Sequence, residues 1–388
     1  MKISKLEVMR LAMPFTSDRS GDHDDKAGED AYNAASLALT KMETLLVRLT
    51  TEDGLQGWGE GFGHLSNPVT FAALKGPVGR FFIGKTFDGT PVGLASLMDE
   101  AQRAFHAFGR SGPIQFALSA VDIALWDLCG KQADKPLWRL LGAERRDIDL
   151  YASLVSYDND PDQVAAHALR AYRAGFRAIK LHETEYPAIA AARHSLPADA
   201  RLMVDVNCPW RVEEACRQAR NLRELDLAWL EEPVWPPDDV AGLAQVLACG
   251  TPIAAGENAQ GLEGFRQHFI AGALSVAQPS VAKVGGISAA LAIYRLARQY
   301  QVKVVPHCFY YGAALLATAH LVATLPEDVA LEVPYLQWPE PLYPELDFQP
   351  RLRLSDAPGL GFDPADVLLQ RYRIAFADLS MERPYAEK

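Results

Sequence analysis

Hydrophobic and polar positions divide the chain into two textures. Ile3–Met13 and Met42–Thr50 are rich in strand formers, and Glu52-Asp53-Gly54 supplies a tight turn before Leu55–Glu60 returns, which predicts a small antiparallel sheet. Between the first two strands, Thr16–Asp30 is too polar and too broken by glycine to be core, and reads either as a disordered loop or as a mobile lid. From Pro91 to about Gly142 the steps become helical: Ile114, Ala117, Leu118, Val121, Ala124, Leu125 and Leu128 recur at three- and four-residue intervals, with Gly130 after the last turn. A helical layer over the first sheet follows from that pattern.

Beyond Gly142, short apolar runs alternate with amphipathic stretches. Strand-like cores fall at Asp149–Ser153, Ala178–Leu181, Leu202–Val204, Ala228–Leu230, Ile253–Ala255, Val276–Gln278, Val302–Val305 and Val329–Leu331. The clearest helix between them opens at Asp160 with proline next to it and stops at Gly175. Strict alternation of eight strands with helices predicts a (β/α) barrel, with an open doubly wound sheet as the alternative. The expected division is an α+β domain over 1–142, a barrel over 143–342, and a tail over 343–388 that returns to the first domain.

Three of the strand cores share one design. Arg201–Asn207, Leu227–Pro233 and Pro252–Asn258 each run apolar and then stop at a carboxylate, so Asp205, Glu231 and Glu257 arrive at neighbouring strand ends. Three such acids repel one another unless a cation lies between them, and an all-oxygen set suits a hard ion, which makes them the candidate ligands of one Mg²⁺. Catalytic groups of a barrel gather at its C-terminal strand ends. Read in order, those ends carry Lys180 and His182, Asp205 and Asn207, Glu231 and Glu232, Glu257 and Asn258, Ser280, His307, and Glu332. The alternating glycines of Gly57-Trp-Gly-Glu-Gly-Phe-Gly63 are not a nucleotide loop, because no helix follows at the required offset; they read as a glycine-rich strand end.

Composition narrows the partners. A chain of 388 residues with 49% apolar content can bury a barrel-sized core, and a formal charge of -11 without a basic stripe argues against nucleic acid. Five cysteines with no C-x-x-C pair fit reduced thiols and a cytoplasmic setting. The alternating charge of Met1–Glu7 lacks a signal-peptide core, and no apolar run is long enough to span a membrane.

These residues resemble the enolase superfamily, in particular its mandelate racemase-like members. The resemblance runs through Gly57-Trp-Gly-Glu60, Ala120-Val-Asp-Ile-Ala-Leu-Trp-Asp-Leu-Cys-Gly130, Pro136, Leu140–Gly142, Val204–Asn207, Trp229–Pro233, Gly256–Asn258 and Lys283–Gly286. It implies a (β/α)7β barrel under an α+β capping domain, Mg²⁺ on Asp205, Glu231 and Glu257, and removal of a proton next to a carboxylate. It also implies His307 as base, Glu332 as the acid that meets the substrate carboxylate, Lys180 as electrophilic help, and a homo-oligomer. The sequence departs from the family twice. Lys180-Leu181-His182 puts histidine where relatives often carry a second lysine, and a histidine there can still accept a proton. Ser280 stands where related racemases and dehydratases place an aspartate behind the seventh-strand histidine, and a serine there can orient the ring by a hydrogen bond but cannot stabilise an imidazolium as a carboxylate would. Asn207, Ser280 and Lys283 are the candidate substrate contacts, while Cys208 and Cys308 read as packing. A small carboxylate, an acid sugar first, is the expected substrate. One base gives dehydration to a 2-keto-3-deoxy acid; two bases, His182 and His307 on opposite faces, give racemisation or epimerisation; the missing aspartate leaves a lactone cycloisomerase or a non-catalytic acid-binding barrel open.

Overall fold

The computed structural model describes residues 1–19, 35–348 and 350–381. β1 (Ile3–Pro14), β2 (Lys41–Thr51) and β3 (Gln56–Gly61) form the antiparallel sheet read from the sequence. The barrel strands are β4 (Asp147–Ser153), β5 (Ala178–Leu181), β6 (Arg201–Asp205), β7 (Trp229–Glu231), β8 (Ile253–Ala255), β9 (Val276–Ala277), β10 (Lys303–Val304) and β11 (Leu331–Pro334). They are parallel, in the order β10-β9-β8-β7-β6-β5-β4-β11, and each of the first seven is followed by a helix. The last strand therefore returns to lie beside the first, which is the connectivity of a (β/α)7β barrel. No ladder joins β10 to β11 among the described residues, but Cys308 N donates to Glu332 Oε2 at 2.8 Å and links the seventh strand end to the eighth strand.

β12 (Arg351–Arg353) pairs antiparallel with the start of β4, and β13 (Arg373–Ser380) pairs antiparallel with β1 at the edge of the first sheet. Both chain ends thus contribute to one cap. Of the Thr16–Asp30 stretch, residues 20–30 lie outside the described residues; Thr16 exchanges backbone hydrogen bonds of 2.9 and 2.8 Å with Gln337, just beyond β11.

Several boundaries differ from the sequence reading. The eighth strand starts at Leu331, not Val329, which sets Glu332 inside the strand opposite Tyr151. β9 and β10 are only two residues long, because the chain turns early into the loops that carry Ser280 and His307. The cap helix Gly112–Gln132 runs through Gly130 without stopping. A Cβ at Gly130 would stand 2.7 Å from Gly359 Cα, so this glycine admits a crossing backbone and does not end the helix.

The same accounting explains the alternating glycines of β3. Built Cβ atoms would meet Ala124 O at 2.3 Å from Gly57, Ala120 O at 1.9 Å from Gly59 and Phe116 O at 3.0 Å from Gly61. One face of the strand is bare so that the helix Gly112–Gln132 can lie directly on it. That helix is buried along most of its length and ties the cap sheet to the barrel. Gly59→Ala is therefore expected to cost about 3 kcal/mol by overpacking. Gly54→Ala, at a positive-φ turn with nothing within 4 Å, should cost roughly 1 kcal/mol, and urea unfolding of the two variants measures the difference.

Candidate active site

Asp205 and Glu231 close their strands at the same level and are direct partners in the β6/β7 register. Both are buried, and so is the ammonium that joins them. Lys180, from β5, sits 2.8 Å from Glu231 Oε1, 3.3 Å from Asp205 Oδ2 and 2.7 Å from Glu332 Oε1 across the barrel. Burial works against the charge on Lys180, but Glu231, Glu332 and Asp205 outweigh it and hold its pKa well above the usual lysine value. Lys180 is thus a fixed cation and not a base at neutral pH.

The carboxylates respond in opposite senses. Burial pushes Asp205 up, yet the Lys180 charge and the His182 hydrogen bond hold it down at about 2. Glu231 rises well above the usual range, through burial first and then the facing Asp205 charge. Its Oε2 accepts from Trp229 Nε1 at 2.9 Å. Asn207, in a left-handed backbone conformation, turns back so that its N and Nδ2 both donate to Asp205 Oδ1 at 3.0 Å.

Glu257 lies two residues beyond β8 and faces the other way. Its Oε2 is 2.7 Å from His307 Nε2, and its Oε1 accepts from Asn258 Nδ2 at 3.1 Å. Burial opposes its charge, but Lys283 and His307 lower its pKa well below the usual carboxylate value. Lys283 Nζ also bonds Asn258 Oδ1 at 3.0 Å and lies 4.6 Å from the Phe62 ring centroid.

His307 is held from behind. Its Nδ1 is 3.2 Å from Ser280 Oγ, and Ser280 shares a close hydrogen bond with the Tyr310 hydroxyl. All three are buried. Burial keeps the Tyr310 phenol far above its ordinary pKa, so it remains a neutral hydroxyl. Nδ1 faces Ser280 Oγ, while Nε2 is hydrogen-bonded as donor to the Glu257 carboxylate, an acceptor that a bound cation would draw away. Ser280, read from the sequence both as a candidate substrate contact and as a group able to orient the imidazole, lies buried between Tyr310 and His307. His182 is fixed similarly: Nδ1 donates to Leu154 O, leaving Nε2 3.4 Å from Asp205 Oδ2.

The structure adds groups from the cap. His64, buried on the loop after β3, stacks edge-on against Phe62 at 5.2 Å, and Phe62 meets Tyr310 at 6.0 Å. Burial, followed by the charges of His307 and Lys283, lowers the His64 pKa to about 4, so it stays neutral. Nothing in the local sequence flagged His64 beyond its place beside Gly63; only the docking of cap on barrel brings it here. Glu232 accepts from Gly256 N at 3.0 Å and from the Cys208 thiol at 3.2 Å. Burial pushes the thiols of Cys208 and Cys308 up, which removes both as nucleophiles.

Among the described residues, no three acidic, histidine or cysteine side chains close as a ready-made metal cage. The reason is visible: Lys180 draws Asp205 and Glu231 together while Glu257 is turned onto His307. The donor chemistry nevertheless fits a hard divalent ion. Two buried carboxylates stand in register on adjacent strands, the second carries the repulsion of the first, and Glu257 is near enough to raise Asp205 as well.

An α+β cap over a parallel barrel, with acids at consecutive strand ends and a histidine opposite, defines a capped barrel protein of the enolase kind. The model of the enolase C-terminal domain-like fold matches residues 163–367, and that of the mandelate racemase/muconate lactonizing enzyme N-terminal domain matches residues 29–142. The chain belongs to the mandelate racemase/muconate lactonizing enzyme family of the enolase superfamily. It is 32% identical over 337 residues to the L-talarate/galactarate dehydratase of Salmonella typhimurium, covering 84% of this chain and 81% of that protein. It is 31% identical over 301 residues to the 3,6-anhydro-alpha-L-galactonate cycloisomerase of Streptomyces coelicolor, covering 76% of this chain and 81% of the relative. The crystal structure of L-talarate dehydratase from Polaromonas sp. JS666, complexed with Mg and L-glucarate, superposes with a TM-score of 0.81 at 27% identity, covering 98% of this chain and 99% of that one.

Removing the central ammonium tests this electrostatic arrangement. Lys180→Met leaves Asp205, Glu231 and Glu332 buried without their cation and should cost about 3–5 kcal/mol in chelator-treated protein. Added Mg²⁺ should recover more stability in the variant than in the wild type, measured by urea unfolding with and without the ion.

Proposed function

We propose that this chain is a Mg²⁺-dependent enzyme that removes the proton next to a carboxylate, and that its reaction is dehydration of an acid sugar to a 2-keto-3-deoxy acid. The observation that carries the reading is the pairing of register-matched acids, Asp205 and Glu231, with a histidine, His307, whose Nε2 faces Glu257 and whose Nδ1 is anchored by Ser280. Dehydratases of several sugar acids among the relatives support the choice of reaction.

Asp205, Glu231 and Glu257 would hold the ion. When bound, Mg²⁺ supplies positive charge against the substrate carboxylate, where negative charge grows as the α-proton leaves. His307 Nε2 takes that proton. The electron pair moves into the new carbon–carbon double bond as the β carbon–oxygen bond breaks, and the departing hydroxyl leaves as water with the proton returned by His307. The enol then tautomerises to the keto acid. Lys180, a permanent cation, attracts the acid end, and Glu332, fixed by Lys180 and by the bond from Cys308 N, meets the substrate carboxylate only in its protonated form, as a donor. Asn207 and Lys283 line the remaining polar wall. The free thiols at all five cysteine positions fit the cytoplasm, and family membership supports a homo-oligomer.

A second reading, lactone cycloisomerisation, has two supports: Ser280 in place of an aspartate behind His307, and cycloisomerases among the relatives. The discriminating measurement incubates purified protein and Mg²⁺ with sugar acids and their lactones while following 2-keto acid formation. Keto product from an acid supports dehydration. Isomerised lactone without it favours the second reading, and α-deuterium uptake from D₂O with no product turns the assignment to an epimerase using His182 as well.

His307→Asn should abolish α-proton exchange, a loss of about 10³-fold or more, with Mg²⁺ binding retained by calorimetry. Exchange at the wild-type rate would remove His307 from its role. His182→Asn should slow exchange of only one substrate epimer if two bases operate.

A further inference from the structure

Two consecutive barrel helices begin with glycine and lack a capping side chain of their own. Gly312 precedes Ala313–Val322, and Gly285 precedes Gly286–Gln299. A helix start leaves four backbone N–H groups unpaired, and every residue of Ala313–Val322 is buried, so water cannot serve them. The acceptors come from the cap. Glu60, on β3, accepts from Ala314 N at 2.7 Å and also from Gly312 N. Asp122, on the cap helix Gly112–Gln132, accepts from Ser288 N at 3.1 Å, from Ile287 N and from the Ser288 hydroxyl.

The glycines make the room. A Cβ on Gly312 would stand 2.7 Å from Glu60 Oε2, and one on Gly286 would stand 2.1 Å from Asp122 Oδ1. The cap helix extends the grip on the sixth unit: Gln115 Nε2 donates to Val284 O at 3.2 Å, Ser119 Oγ accepts from Gly285 N at 2.9 Å, and Trp126 Nε1 donates to Ser288 Oγ at 2.9 Å. Both side chains are buried, which pushes Glu60 up to about 8 and Asp122 up to about 7 against the pull of the N–H groups they accept from, so it is their acceptor oxygens and not a full negative charge that cap the helices. The segments so fixed are those that carry Ser280 with Lys283, and His307 with Tyr310. The three acids of the opposite wall stand on β6, β7 and the loop after β8.

We propose that Glu60 and Asp122 are positioning residues: capping carboxylates supplied by one domain that set the loops bearing His307 and its partners in the other. The catalytic side of this proposal rests on the proposed function, while its structural side does not.

Glu60→Gln keeps the shape but turns an amide N–H₂ toward a backbone donor. Gly312→Ala displaces the carboxylate, and its φ of -119° lies outside the left-handed region that favours glycine. In both variants, amide hydrogen exchange across 307–316 should accelerate about tenfold or more, with Mg²⁺ affinity within about twofold of wild type. Asp122→Asn should do the same across 284–290. On whichever acid the wild type converts, kcat should fall by about tenfold or more with KM within about threefold. Glu60→Ala combined with Gly312→Ser, which gives the helix its own hydroxyl cap, should restore both exchange protection and kcat relative to Glu60→Ala alone. Unchanged exchange in Glu60→Gln and Gly312→Ala, a parallel loss of Mg²⁺ affinity, or no rescue by Gly312→Ser would overturn the proposal. If the wild type converts no acid, the functional reading fails, and the exchange and rescue measurements still decide whether these carboxylates set the loops. Should Glu60→Gln not fold, Gly312→Ala carries the test by the same readouts.

Discussion

One ammonium group holds three carboxylates at the centre of the barrel mouth, and the rest of the site is arranged around that balance. Lys180 lies within 3.3 Å of Asp205, Glu231 and Glu332. At an effective dielectric constant of about 20, a unit pair at such a distance is worth about 5–6 kcal/mol, against a burial cost of several kcal/mol for each ion. The cluster is therefore close to break-even as a contributor to stability. Its value is that the three carboxyl groups are held in place around one cation, with Asp205 and Glu332 lowered in pKa and Glu231 raised.

A second balance stands opposite it. His307 is paired with Glu257 on one nitrogen and with Ser280 on the other, and Ser280 is itself bonded to Tyr310. In place of a carboxylate behind the imidazole, this chain uses two neutral hydroxyls. Such a link orients the ring through neutral hydrogen bonds and leaves Glu257 as the carboxylate in contact with the imidazole. The cap closes the arrangement through packing and backbone bonds: bare β3 lies on the helix Gly112–Gln132, Glu60 reaches the helix after the seventh strand, and His64 and Phe62 meet Lys283 and Tyr310.

Much of this was legible in the chain because it follows from local pattern. Period-two and short apolar runs located β1 to β3 and the eight barrel strands, though not β13, and acids at their ends marked Asp205, Glu231 and Glu257 as candidates. Local pattern misled where a distant segment decides. Gly130 reads as a helix stop but is a crossing point for Gly359. His64 carried no local mark, since its neutrality and its place near His307 arise only from burial under the docked cap.

The order of strands and helices, and which residue types stand at strand ends, were written in the sequence, because side-chain periodicity and turn chemistry act over a few neighbours. Which acid faces which cation was decided only in three dimensions. Closing the barrel brings β11 back against β4 and so sets Glu332 beside Lys180, and docking the cap brings Glu60 and His64 to loops hundreds of residues away along the chain. Charge pairing and burial depend on distance through space, and no reading of neighbours along the chain contains that distance.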